Sequence, residues 1–281
     1  MEQSATDLPH ILTAHLFLPL EQLLIELLRS LRAADWEAQT IAPKWKVKDV
    51  AAHLLDTQLR KLSMVRDGYF SAAPVIASQS DLVSFINRVN QEGVALYRRL
   101  SPEVLISLME FASRASAEFH LSLDPFATAA FAVSWAGEDE SLNWFDTARE
   151  LTERWHHQQQ IRLALDKPGI MTRQFYHPVL DCFLRALPYH YRNLPAASGT
   201  LVQFDISGDC GGSWWLLRVE TSWRLVASSP VEPVSKVIIP QELAWRLFTK
   251  GLDPAAAESQ ILVEGKRELG SHALRLTAIV G

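Results

Sequence analysis

Apolar and polar residues alternate through the first half of the chain with a helical period. Leu20, Leu23, Leu24, Leu27, Leu28 and Leu31 recur at mostly three- and four-residue steps, which predicts an amphipathic helix over about 18–32. A second begins after Pro43, near Val47, with Val50, Ala51, Leu54, Leu55 and Leu59 on its buried side. A third is expected from Asp81 to Leu100, with Asp81 placed to cap its start after Ser80. Ser101-Pro102-Glu103 sets serine at the cap and proline in the first turn of a fourth, which ends near Leu121. The fifth runs from about Ser141 to Leu165, where Lys167-Pro168-Gly169 stops it.

The period then changes. Thr172 to Arg192 is still helical in pattern, but residues 199–207, 213–220, 222–227 and 234–239 read as strands between turn residues. Asp209-Cys210-Gly211-Gly212 reads as a hairpin loop. Pro240 opens a short helix through Phe248, residues 261–264 are extended, and 270–279 fits a helix or a strand. The expectation is an α+β protein, with a helical N-terminal domain over 1–168 and a smaller α+β domain over 169–281.

A chain of 281 residues can bury two cores of common size. Its 27 basic and 32 acidic residues leave a formal charge of −5, without a basic block interleaved with aromatics, which argues against a nucleic-acid partner. The leucine-rich run Ile11 to Leu28 carries His15, Glu21, Gln22 and Glu26 and is too polar to span a membrane. Met1 to Pro9 lacks the basic start of a secretory signal. Cys182 and Cys210 have no CxxC spacing, which opposes a disulfide framework or a thiolate zinc site. Cys182 reads as a core thiol, and Cys210, in its glycine-rich turn, as exposed. A soluble cytoplasmic protein is expected, monomeric or homodimeric, with no membrane or nucleic-acid partner.

The candidate chemistry lies in Glu153-Arg154-Trp155-His156-His157 and in His53, about a hundred residues earlier. Glu153 and His157 are four apart and share one helix face. If His53 comes from a neighbouring helix, the three supply two nitrogens and one oxygen, the ligand set of a catalytic divalent-metal site with an open position. The ordinary alternatives are a core histidine satisfied by a carbonyl, and a weak surface pair at i, i+4. His156 points about 100° away and is assigned an outer or surface place, while Gln160 and Arg162 are polar groups able to orient a ligand.

Trp45-Lys-Val-Lys-Asp-Val-Ala-Ala-His53-Leu-Leu resembles the first motif of the mycothiol-dependent maleylpyruvate isomerase branch of the DinB-like superfamily. Arg149 to Leu165, with Glu153, Trp155, His157, Ile161, Arg162 and Ala164, resembles its second, except that Gln160 stands where Asp is common. The resemblance implies a four-helix DinB-type bundle, with His53, Glu153 and His157 as metal ligands, followed by a domain similar to sterol-carrier folds. It further implies a small-molecule substrate and a low-molecular-weight thiol, whether mycothiol, bacillithiol or glutathione. The metal expected is zinc, with nickel, iron and manganese accepting the same donors.

Metal coordination favours the thiolate, the reactive nucleophile. A thiolate that adds and leaves is an isomerase catalyst, and one that stays attached is the product of an S-transferase. An anionic substrate calls for an arginine, and Arg218, Arg224 and Arg246 are the candidates in the C-terminal half. The leading expectation is a metal- and thiol-dependent enzyme. The alternatives are a non-catalytic metal or small-ligand binder on the same scaffold, and a degenerate structural module. The GxSxG, P-loop and GxGxxG patterns are absent from the sequence.

Overall fold

The computed structural model describes residues 5–70 and 76–279. The chain divides into two compact units. Among the described residues, a helical unit comprises those within Leu12–Ala130 and Glu150–Ile170, and a sheet unit comprises residues 5–11, Phe131–Arg149 and Met171–Ile279.

The helical unit contains α1 (Phe17–Arg29), α2 (Val47–Lys61), α3 (Gln79–Tyr97), α4 (Pro102–Ser122) and most of α5 (Asn143–Ala164). Leu24 and Leu28 of α1, Val50, Leu54 and Leu55 of α2, Leu105 and Met109 of α4, and Ile161 of α5 close one hydrophobic core. Burial of these apolar stripes, rather than intrinsic propensity, holds such helices.

The helix starts follow local chemistry. The Asp49 carboxylate accepts from the Lys46 backbone N–H at 3.0 Å, fixing the entry to α2. Ser101 caps α4 by accepting from the Val104 N–H, with Pro102 in the first turn, as the sequence predicts. At α3 the cap differs from expectation. Ser78, not Asp81, is the capping residue, and its hydroxyl accepts from the Asp81 N–H. Asp81 instead accepts from the N–H of Ala77, which starts the helix two residues earlier than expected. After Lys61 the helical path continues as a π turn over Leu62–Arg66, a local insertion that no hydrophobic period announces.

In the sheet unit, β1 (Thr6–Asp7), β2 (Leu201–Ser207), β3 (Gly212–Val219), β4 (Ser222–Ser228), β5 (Ser235–Pro240) and β6 (Leu262–Gly265) form one sheet in the order β1-β4-β3-β2-β5-β6. β2 and β5 are parallel, and the other pairs are antiparallel. The β2–β3 hairpin turns through residues 208–211, where Gly211 is required by crowding. A Cβ there would stand 1.8 Å from the Ile206 carbonyl oxygen. Both cysteines are reduced. Cys182 is a core residue, and Cys210 is buried rather than exposed, in a turn whose Cys210 N–H donates to the Gln241 side-chain oxygen at 2.9 Å.

Among the described residues, the α-helices α6 (Arg173–Leu184), α7 (Leu187–His190), α8 (Gln241–Phe248), α9 (Pro254–Ala257) and α10 (Arg267–His272) also belong to this unit. The buried polar tips of its aromatics are satisfied across elements. Trp214 of β3 donates to Asp181 of α6 at 3.1 Å, Tyr176 of α6 donates to the Gln241 carbonyl at 2.6 Å, and Tyr191 donates to the Leu269 carbonyl at 2.7 Å.

His190 and His272 stack with ring centroids 4.4 Å apart, and each Nε2 meets the other's backbone carbonyl, at 2.8 and 3.1 Å. Burial, and the nearby His272 and arginines, depress the His190 pKa against the raising effect of its carbonyl partner. A histidine depressed in the folded state stabilises fully above its unfolded value, near 6.5, and loses that contribution as the pH falls toward the folded value. The sheet unit should therefore melt at lower temperature at pH 5 than at pH 7. Thermal denaturation of His190→Gln at the two pH values should show a smaller drop than wild type, and an equal drop would refute the assignment.

Candidate metal centre

α2 places His53 among Val50, Ala51, Leu54 and Leu55, on a helix whose apolar stripe faces the core. α5 places Glu153 and His157 on one face, one turn apart. The folded helical unit brings these three together. One donor atom from each of His53, Glu153 and His157 lies within 4.8 Å of the other two. The His53 and His157 rings meet edge to face, with centroids 4.5 Å apart. Nε2 of His157 stands 3.4 Å from Oε2 of Glu153.

That last distance is long for a hydrogen bond. It is also the separation expected between two donors of a tetrahedral divalent ion, since bonds of about 2.1 Å place donors about 3.4 Å apart. His53 supplies a second sign. Its Nδ1 is buried and has no hydrogen-bond partner among the described residues. An unsatisfied buried polar atom costs about 1–3 kcal/mol, so a group from outside the chain is called for. Burial, reinforced by His157 and Arg60, holds the His53 pKa well below the ordinary value. The ring is therefore neutral, the form whose lone pair a metal ion takes. Two imidazoles and a carboxylate are a donor set that fits zinc, and the geometry fits with it.

The surroundings orient these donors. His157 Nδ1 donates to the Gln160 side-chain oxygen at 2.9 Å, which leaves Nε2 directed at Glu153. This outer hydrogen bond is the kind that fixes the tautomer of a metal-binding histidine. Gln160 thus supplies a neutral acceptor where the related motif commonly has a carboxylate. Trp45, at the entry to α2, packs against both rings, at 4.6 Å from His53 and 5.7 Å from His157. The two histidine side chains are nearly covered, whereas that of Glu153 is 30% exposed and marks the accessible side.

The remaining sequence candidates divide. His156 is buried, not a surface residue: its Nδ1 bonds the Thr152 carbonyl at 3.0 Å, its ring lies 3.9 Å from that of His157, and burial takes its pKa down to about 4. Arg162 is engaged with backbone groups at the end of its helix. Its guanidinium donates to the carbonyls of Pro168 and Leu23, both at 3.0 Å, and so ties the exit of α5 to α1.

Arg218, Arg224 and Arg246 all belong to the sheet unit. Arg224 is held by Asp7 in an exposed ion pair. Arg218 lies over Trp223 at 5.6 Å, with Nε and Nη1 buried and unpartnered among the described residues. Arg246 lies over Trp245 at 5.7 Å with a similarly unpartnered Nε. Sequence reasoning did not find the buried polar group beside the site, in which Arg154 of α5 meets Glu21 of α1 at 3.3 Å. Its available signal was a glutamate within the leucine stripe of α1.

None of the helices among the described residues is long and apolar enough to cross a membrane. No curated protein matches the sequence. Two solved structures are similar over 85% of this chain and 88% of theirs. They are the mycothiol-dependent maleylpyruvate isomerase, at 12% identity and a TM-score of 0.46, and a histidine-to-alanine mutant of that enzyme, at 13% and 0.47. Residues 17–162, which include His53, Glu153 and His157, match the family model described as the mycothiol maleylpyruvate isomerase N-terminal domain. Since the match covers more than half of the chain, this protein belongs to the mycothiol maleylpyruvate isomerase N-terminal domain family.

Proposed function

We propose that this protein is a divalent-metal-dependent enzyme that uses a low-molecular-weight thiol, as an isomerase or S-transferase, on a small anionic substrate. The observation that carries this reading is the 3.4 Å gap between His157 Nε2 and Glu153 Oε2, beside the buried His53 Nδ1, which has no hydrogen-bond partner among the described residues. His53, Glu153 and His157 would hold the ion, with zinc the best fit and nickel, iron or manganese compatible. When bound, the ion favours the thiolate form of a coordinated thiol and so supplies a nucleophile at neutral pH.

The chain's own residues prepare that chemistry. Gln160 fixes the direction of His157, Trp45 packs against the two rings, and the partial exposure of Glu153 leaves an approach. In the sheet unit, Arg218 and Arg246 have guanidinium nitrogens without a hydrogen-bond partner among the described residues and are the better candidates to receive a carboxylate. Arg224 is already committed to Asp7. The reading places the protein in the cytoplasm, where small thiols are kept reduced.

Turnover of thiol adducts tests the reading. Metal-loaded wild type, screened with mycothiol, bacillithiol and glutathione against unsaturated dicarboxylates, should isomerise or alkylate, and Glu153→Ala should lose at least about 100-fold in rate. Metal binding without turnover by wild type would identify a binding protein and overturn the enzyme reading.

A further inference from the structure

The interface between α2 and α5 carries polar residues at three successive levels. At the first, His53 faces Glu153 and His157. One turn further along α2, Thr57 Oγ1 lies 3.5 Å from Arg154 Nη1. One turn beyond that, Lys61 Nζ lies 3.5 Å from Glu150 Oε1. The two helices are therefore antiparallel and in register, and the second and third levels have no part in the chemistry described above.

Arg154 is the centre of the lower levels. Its side chain is only 3% exposed and is flanked by two carboxylates, with Glu21 of α1 at 3.3 Å and Glu150 at 3.8 Å. Its Nη2 also lies 3.4 Å from the Ser116 hydroxyl of α4. Glu21, equally buried, accepts from Ser113 of α4 at 3.1 Å and from Gln58 of α2 at 3.3 Å. Two acids and two bases balance, and four helices are tied around one guanidinium. Burial pushes the Glu21 carboxyl up, and Arg154 is the largest influence opposing it.

Apolar side chains of equal volume fill such a place at least as stably, so a buried ion pair is weak evidence of a purely stabilising role. What it does supply is direction. Apolar packing allows a helix to slide and rotate, whereas a guanidinium held by groups from three other helices does not. Arg154 adjoins Glu153 and lies three residues from His157. If α5 turned by about 20°, a side-chain tip about 6 Å from the axis would move about 2 Å, enough to open the ligand triad.

We propose that Arg154, anchored by Glu21, is a positioning residue that fixes the rotation of α5 and thereby aims Glu153 and His157 at His53. The inference rests on the metal reading above, and it assigns a role to two residues that touch neither metal nor substrate. The test compares wild type with Glu21→Gln and with Glu21→Gln/Arg154→Met, the second of which removes both charges and so avoids a lone buried one. Zinc affinity is measured by chelator competition, the visible spectrum is recorded with cobalt(II), and folding is followed by thermal melting.

The double variant should melt cooperatively, bind zinc about 10–100-fold more weakly, and show an altered cobalt spectrum, as expected for misdirected ligands. The single variant should move the same way. A folded double variant with wild-type affinity and spectrum would overturn the positioning role while leaving the metal site intact. A wild type that binds neither zinc nor cobalt would overturn both readings.

Discussion

His53→Ala is expected to take bound divalent metal from about one equivalent per chain to almost none, with zinc affinity falling by more than about 100-fold. The scale follows from the lesser case, since loss of an outer partner of a metal ligand already costs about 10–100-fold. His53 supplies one of only two imidazoles, and none of the neighbours Ala51, Ala52, Leu54 and Leu55 is a substitute donor. The substitution also removes a buried nitrogen that has no hydrogen-bond partner among the described residues, so the metal-free fold should lose little stability. Elemental analysis of untagged wild type and variant, beside thermal melts of both after metal removal, separates loss of a ligand from loss of the fold. Metal retained by a folded His53→Ala protein would contradict the assignment.

The second large effect is expected at Trp155, which lies between Glu153 and His157 in sequence and is fully buried. Its indole donates to the Ile170 carbonyl at 3.0 Å and so fastens α5 to the segment that follows it. Trp155→Ala deletes the fully buried tryptophan of the ligand-bearing helix and orphans that carbonyl, and it should lower stability by about 3–5 kcal/mol. Trp155→Phe keeps most of the volume and should cost about 1–2 kcal/mol. Urea denaturation of the metal-free proteins gives both values. A loss below about 1 kcal/mol for the alanine variant would show that Trp155 does not anchor the helix.

Elements whose cause is local were legible in the sequence. The leucine spacing of α1, the Ser101-Pro102 start of α4 and the turn residues flanking β2 to β5 all act within a few residues of themselves, and the structure has those elements near the expected bounds. Elements decided by distant partners were not legible. β1 is two polar residues that become a strand only by pairing with β4, more than two hundred residues away. The parallel pairing of β2 with β5 depends on how the intervening hairpin folds back. The π turn after α2 carries no periodic signature, and the turn that holds the buried Cys210 is tied to Gln241, a distant residue in the sequence.

The same division holds for the candidate site. The four-residue spacing of Glu153 and His157 placed them on one face, but only the packing of α2 against α5 brings His53 to them. Helix angle alone set His156 apart from the ligand face, yet it did not show that the ring is buried and bonded to Thr152. Arg162 was legible as polar, but its carbonyl partners in the α5 exit and in α1 were not. Arg154 and Glu21 are 133 residues apart and meet only in the fold.

X-ray absorption at the zinc edge of the reconstituted protein tests the central claim most directly, because it reads the donors themselves. The arrangement of His53, Glu153 and His157 predicts two imidazole nitrogens and one carboxylate oxygen at about 2.0–2.2 Å, with an exogenous ligand completing the shell. Imidazole scattering should fall by half in His157→Ala. A wild-type spectrum without imidazole scattering, or one that His157→Ala leaves unchanged, would contradict the metal centre proposed here.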